Sequence, residues 1–200
     1  MIDKKNVTIL SFYSKDTIYE KVISVLEKSC KQFNYKFKKV GFENTRNWDN
    51  NNNKKPKIIQ EELKEINEDG VIWYLDSDCE IINEPDLTNV SSIHPSFTTS
   101  KIKQKADWGN KNKLNAGSMI LPNTPITNKI VNDWVVTRPV FGDGTVVEQT
   151  VLEHLLVQYK GEFDVLDMRY NCKPKFLSKL KEEAFILHDC GVYKKNWKSG

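Results

Sequence analysis

Apolar and polar positions follow different periods along this chain, and each change of period marks an element. Residues 7–13, VTILSFY, make a nearly continuous apolar run of the length of a buried strand. Over residues 17–33 the apolar positions Ile18, Val22, Val25, Leu26 and Phe33 recur close to helical spacing, with Asp16 placed as the N-cap. Residues 35–40, YKFKKV, alternate with period two and predict a second strand. The polar stretch GFENTRNWDNNNNKK then predicts a long loop. Pro56 stands where a helix N1 proline belongs, and IIQEELKEI continues at helical spacing until Asp69-Gly70 ends it. VIWYL, residues 71–75, predicts a central strand. Strand, helix, strand, helix, strand is the order of an α/β layered sheet.

Composition narrows what such a sheet can serve. Two hundred residues with 38% hydrophobic content and five tryptophans suffice for one well-buried domain, so residues 1–200 are expected to form a single unit. The net charge of +3 is carried almost wholly by lysine, with arginine confined to Arg46, Arg138 and Arg169. Duplex-reading surfaces favour the planar fork of arginine, so nucleic acid is not expected as a partner. A basic skew does suit an anionic substrate such as a nucleotide diphosphate. Cys30, Cys79, Cys172 and Cys190 contain no C-x-x-C pair, which excludes a zinc ribbon or disulfide framework and points to a reducing, cytoplasmic compartment. No segment approaches the roughly 18 apolar residues of a membrane span.

Chemistry-bearing residues gather at the ends of the apolar runs. VIWYL leads straight into Asp76-Ser77-Asp78, at the carboxyl rim of a strand where α/β sheets bind ligands. In an extended segment residues i and i+2 project to one side, so the two carboxylates are expected to converge on a hard divalent cation. A lone D-x-D is more often an acidic surface turn. Residues 114–122, LNAGSMILP, place a small-residue turn, Asn115-Ala116-Gly117, before another strand, where backbone can approach a ligand closely. AFILHDCGVYKKNW puts His188 at the end of a further strand-like segment, followed by Gly191, Lys194 and Trp197 at three-residue steps. Imidazole can complete an Asp/Asp site and lysine can neutralise phosphate.

L-D-S-D at 75–78, N-A-G at 115–117, E-Q at 148–149 and H-x-x-G-x-x-K at 188–194, in that order over nearly the whole chain, resemble the retaining glycosyltransferases of family 8, the group of glycogenin and the bacterial lipooligosaccharide galactosyltransferases. The resemblance implies a GT-A type fold, a Rossmann-like mixed sheet flanked by helices. It implies Asp76, Asp78 and His188 as ligands of Mn²⁺, or Mg²⁺, on the diphosphate of a nucleotide-diphosphate sugar, with UDP as the nucleotide. It implies Lys194 on the phosphates with Gly191 permitting the turn, Ser77 within the metal motif, and Asn115, Ala116 and Gly117 along the donor sugar. The family's D-Q pair is represented by Glu148-Gln149, with Gln149 near the anomeric carbon as a stabiliser. Tyr13 is the candidate for stacking on the base, and Lys57 for the basic residue before D-x-D, with Lys54 and Lys55 competing.

The C-terminal motif departs from the family pattern twice, Lys195 replacing the usual proline and Trp197 following one place late, and SFYSKD offers little besides Tyr13 where relatives hold the base with polar residues. Trp108 and Gly109 have the composition of a substrate-side loop, as does the Phe141-Gly142-Asp143-Gly144 turn ahead of Glu148. The acceptor hydroxyl is undetermined. The competing readings are a nucleotidyltransferase, which would want a glycine-rich loop that SFYSKD lacks, a haloacid-dehalogenase-type phosphatase, and a catalytically inactive sugar-nucleotide-binding protein.

Overall fold

The computed structural model describes residues 2–99, 114–137, 148–180 and 183–189. Its elements in chain order are β1 (Val7–Ser14), α1 (Ile18–Gln32), β2 (Lys36–Phe42), α2 (Trp48–Asn52), α3 (Lys55–Glu65), β3 (Val71–Leu75), β4 (Glu80–Ile81), β5 (Ser96–Thr99), β6 (Leu114–Pro122), α4 (Pro125–Val136), α5 (Glu148–Gln158), β7 (Asp164–Leu166), α6 (Pro174–Leu180) and β8 (Ile186–Leu187). Six strands form one mixed sheet in the order β2-β1-β3-β6-β5-β7, and β4 pairs with β8 in a small second sheet. β1 runs parallel to β2 and β3, whereas β6 is antiparallel to β3 and β5. This is the α/β architecture that the alternation of periods predicts.

The hydrophobic pattern of β3 explains its central place. All five residues are buried, and the two-residue period sends them alternately into two cores. Ile72 and Tyr74 pack with Leu10, Ile59, Leu121 and Leu152 on one face, and Val71, Trp73 and Leu75 pack with Ile9, Leu26 and Ile120 on the other. Each such side chain contributes about 1.5–3 kcal/mol of burial. The strand that carries D-x-D is therefore fixed from both sides.

Local structure departs from the sequence reading at four places. The N-cap of α1 is Thr17, whose side chain accepts from the Tyr19 amide, while Asp16 takes a left-handed φ of 57° and donates its amide to Glu20. A short helix, α2, occupies the expected loop because Asn47 caps it by accepting from the Asn50 amide at 2.9 Å. α3 ends at Glu65 instead of running on to Asp69-Gly70, and the chain re-enters the sheet through a turn closed by Gly70 N–H on Asn67 O at 2.8 Å. Asn115-Ala116-Gly117 is part of β6 and not a turn leading into it. No helix among the described residues is long and apolar enough to cross a membrane.

Candidate active site

β3 delivers the acidic motif to the rim of the sheet. The Asp76 amide still donates to Gly117 O on β6 at 2.9 Å, and the chain then turns, closed by Cys79 N–H on Asp76 O at 3.0 Å. A turn therefore replaces the extended i, i+2 geometry that the sequence suggested, and the two carboxylates meet through a third residue. β4 follows directly and pairs with β8, Glu80 opposite Leu187, so the next step of that ladder brings position 188 beside position 79. His188 Nε2 consequently lies 3.4 Å from Asp78 Oδ1 and 3.5 Å from Asp76 Oδ2, with Asp189 Oδ1 at 3.6 Å. Burial opposes a charged imidazole here, but Asp78, Asp76 and Asp189 together raise its pKa above the ordinary histidine value.

The backbone of Ala116-Gly117 serves this site instead of the β5 ladder. Phe97 pairs with Met119, yet Thr98 pairs with Asn115, so the intervening residues of β6 leave the regular register. Their polar groups find partners at the site: Ala116 N–H donates to Gln149 Oε1 at 3.2 Å, and Ala116 O accepts from Lys55 Nζ at 3.2 Å. Gly117 leaves room for the imidazole, since a Cβ there would lie 2.3 Å from His188 Cε1.

Lys55 is the basic residue that α3 contributes, in place of Lys57. It is 3% exposed, with Nζ 3.2 Å from Asp76 Oδ1 and 3.0 Å from Glu148 Oε1. Burial works against its charge, and the carboxylates of Asp76 and Glu148 more than offset that, raising its pKa. Asp76 is likewise held below the usual carboxylate range: its burial is outweighed by Lys55, by His188 and by the Tyr74 hydroxyl, which donates to Oδ1 at 2.7 Å. Lys57 is exposed and points to Gln60 and Glu61, outside the pocket, because it stands on the opposite face of α3 from buried Ile59 and Leu63. Lys54 lies over the Phe42 ring.

These groups line one pocket of about 330 Å³. Tyr13, Ser77, Asn115, Gly117, Glu148 and Gln149 all border it together with Asp76, Asp78 and His188. Ala116 sits behind the lining, buried. Gly41 on β2 makes way for Tyr13, whose ring a Cβ would approach to 2.8 Å. The sequence reading missed Tyr19, Trp48, Lys173 and Asp189, which also line the pocket. Lys173 Nζ is 3.4 Å from Asp189 Oδ2, giving the described pocket a second cation. Gly191, Lys194, Trp197, Trp108, Gly109 and the turn at 141–144 lie outside the described residues.

The donor set fits a hard divalent cation. Ligands at right angles around such an ion, with bonds of roughly 2.1 Å, stand roughly 3 Å apart, close to the spacing of His188 Nε2 from the two carboxylates. Asp78, Cys79 and His188 form a tighter trio. Cys79, however, is fully buried and its thiol donates to Gly117 O at 3.8 Å, whereas Asp76 opens on the pocket. Carboxylate oxygen also suits Mg²⁺ and Mn²⁺ better than sulfur does. Spacing alone thus groups Asp78, Cys79 and His188, while donor chemistry and access to the pocket point to Asp76, Asp78 and His188 as the candidate ligands.

The fold has counterparts of known structure. A glycosyltransferase involved in the glycosylation of the major capsid of PBCV-1 matches 97% of this chain and 99% of its own, with a TM-score of 0.69 and 22% identity. The galactosyltransferase LgtC, solved in complex with donor and acceptor sugar analogs, matches 92% of this chain and 87% of its own, with a TM-score of 0.54 and 12% identity. At these identities the likeness establishes the fold, which is GT-A. No protein-family model and no curated protein matches the chain.

Proposed function

We propose that this chain is a single-domain, metal-dependent glycosyltransferase that moves a sugar from a nucleotide-diphosphate sugar, UDP-linked, to an acceptor hydroxyl with retention. The observation that carries the reading is the approach of Asp76 and Asp78 to His188 Nε2 in a pocket that Lys55, Glu148 and Gln149 also line. A divalent cation held by the first three would act as a Lewis acid toward the charge that grows on the departing diphosphate. Lys173 adds a second positive group within the described pocket, available to phosphate if it exchanges Asp189 for it.

Next to Asp76, bridged to it by Lys55, Glu148 and its neighbour Gln149 have the chemistry of a sugar site. Glu148 is 6% exposed, with Oε1 on Lys55 and with Oε2 buried and unpartnered among the described residues. A buried carboxylate oxygen without a donor is costly, and a sugar hydroxyl is a donor that would satisfy it. Gln149 has its carbonyl oxygen tethered by the Ala116 amide, which makes it a poor nucleophile and leaves donation from Nε2 as its contribution. The acceptor oxygen then forms its bond to the anomeric carbon on the face the phosphate leaves, and its proton passes to the departing phosphate oxygen. Tyr13, Tyr19 and Trp48 offer rings to a base at the pocket mouth.

The test is turnover of a panel of nucleotide-diphosphate sugars with Mn²⁺ and without added acceptor, where water replaces the acceptor hydroxyl. One donor should release its nucleotide diphosphate. Asp78→Ala should slow that release by about a hundredfold or more, the scale of losing a group aimed at transition-state charge, while the melting temperature stays close to that of the wild type. Undiminished release in Asp78→Ala, or hydrolysis of simple phosphate esters with no nucleotide sugar consumed, would overturn the reading.

A further inference from the structure

His188 can serve the site only if the lone pair of Nε2, and not a proton, faces Asp76 and Asp78 when the ring is neutral. Its other nitrogen, Nδ1, lies 2.7 Å from Asn171 Oδ1, and the identity of the donor depends on the tautomer. Asn171 is 3% exposed, and its Nδ2 lies 2.9 Å from Thr98 Oγ1. Thr98 is fully buried, and its hydroxyl lies 2.6 Å from Asn115 O and 3.1 Å from Ser118 O, where the register of β5 against β6 breaks.

The direction of every proton in this row follows from its far end. A backbone carbonyl can only accept, so the single hydroxyl proton of Thr98 is committed to the β6 carbonyls. Thr98 Oγ1 must then accept from Asn171, which turns the Asn171 amide nitrogen toward Thr98 and its carbonyl oxygen toward His188. That oxygen can only accept, so Nδ1 carries the ring proton. The lone pair is left on Nε2, the nitrogen that faces the two carboxylates. Hydrogen-bonded partners of this kind orient and polarise metal-bound imidazoles, and removing them costs about 10–100-fold in metal affinity.

We propose that Asn171, itself oriented by Thr98, is a positioning residue that fixes His188 in the Nδ1–H tautomer and aims its Nε2 at the cation site. The proposal rests on the metal reading above but is tested first without metal. The chain has three histidines, His94, His154 and His188, so a ¹⁵N-histidine spectrum is simple, and His188→Gln assigns it. At alkaline pH the metal-free wild type should show His188 with Nδ1 protonated and Nε2 bare, the reverse of the tautomer that a free histidine side chain favours.

Asn171→Leu should lose that bias and weaken Mn²⁺ binding by about 10–100-fold. Asn171→Asp keeps an acceptor for Nδ1 and should hold Mn²⁺ affinity within a few-fold of wild type. Thr98→Val should give a loss between the two, because Asn171 is then free to flip. A protonated Nε2 in the neutral wild type, or an unchanged tautomer and Mn²⁺ affinity in Asn171→Leu, overturns the proposal. If Asn171→Leu does not fold, the wild-type tautomer and the Asn171→Asp titration decide it. Failure of the wild type to bind Mn²⁺ sinks the metal reading instead, and the tautomer, read without metal, separates the two failures.

Discussion

Lys55→Met should lower the stability of the chain by about 3–5 kcal/mol, the cost of removing one partner from a buried ionic group. Lys55 is the cation between Asp76 and Glu148, which it reaches at 3.2 and 3.0 Å. Without it, two carboxylates share a low-dielectric wall, and the Ala116 carbonyl loses its lysine donor. For a chain of this size the loss corresponds to a fall in melting temperature on the order of 10 °C. A second substitution, Glu148→Gln, removes one of the two stranded charges and should restore part of the stability. The pair thus separates electrostatics from packing, since methionine fills much of the lysine volume in either background. A melting temperature unchanged in Lys55→Met, or a double variant no more stable than the single one, would contradict the ionic account of this wall.

Gly117→Ala should lower divalent-metal affinity by about 10–100-fold, as does the loss of a group that orients a ligand. The added Cβ would lie 2.3 Å from His188 Cε1, 2.8 Å from its Nδ1 and 2.9 Å from Asp76 Oδ2. The imidazole cannot simply swing aside, because Nδ1 is bound to Asn171 and the His188 amide donates to Cys172 O at 2.8 Å. The strain must be shared by the two groups that define the site, so metal binding falls more than stability, for which overpacking costs about 1–3 kcal/mol. Mn²⁺ titration beside thermal unfolding separates these effects. A variant that loses stability while binding Mn²⁺ as the wild type does would show that His188 and Asp76 need not stand where they do.

Much of this geometry was legible in the sequence, and the misses have physical reasons. The strands β1, β2 and β3 announce themselves because burial on one or both faces leaves a period of two or an unbroken apolar run. Asp76, Asp78 and His188 were visible as polar residues at the ends of such runs, and Glu148 and Gln149 only through the family resemblance; all line one pocket. Lys55 was within reach as well: stepping back four residues from buried Leu63 gives Ile59, and four more gives Lys55, whereas Lys57 falls on the other face. The capping of α1 was misjudged by one residue because aspartate and threonine are both good caps, and only the left-handed φ of Asp16 decides between them.

Other features leave no local trace. Asn171 and Thr98 are 73 positions apart and are joined only because β5 and the segment after β7 meet beneath His188. Trp48 reaches the pocket lined by Tyr19 of α1 because α2 forms in a stretch whose asparagines read as loop. The broken register of β6 is likewise set by its neighbours, since LNAGSMILP carries a strand's composition and its small residues look like a turn. Sequence locates chemistry at the ends of elements; which ends meet is decided by the sheet.

The most direct measurement is thermal unfolding of the purified chain with nucleotide diphosphates and their sugars, each in Mn²⁺ and in EDTA. A ligand present at a hundred times its dissociation constant stabilises the native state by about 2.7 kcal/mol, which here is a rise on the order of 5–10 °C. The proposed metal site of Asp76, Asp78 and His188, with the proposed UDP-sugar donor, predicts such a rise for UDP in Mn²⁺, its loss in EDTA, and its loss in Asp78→Ala. An equal rise in EDTA, or none with any nucleotide, would contradict a metal-held diphosphate at the end of β3.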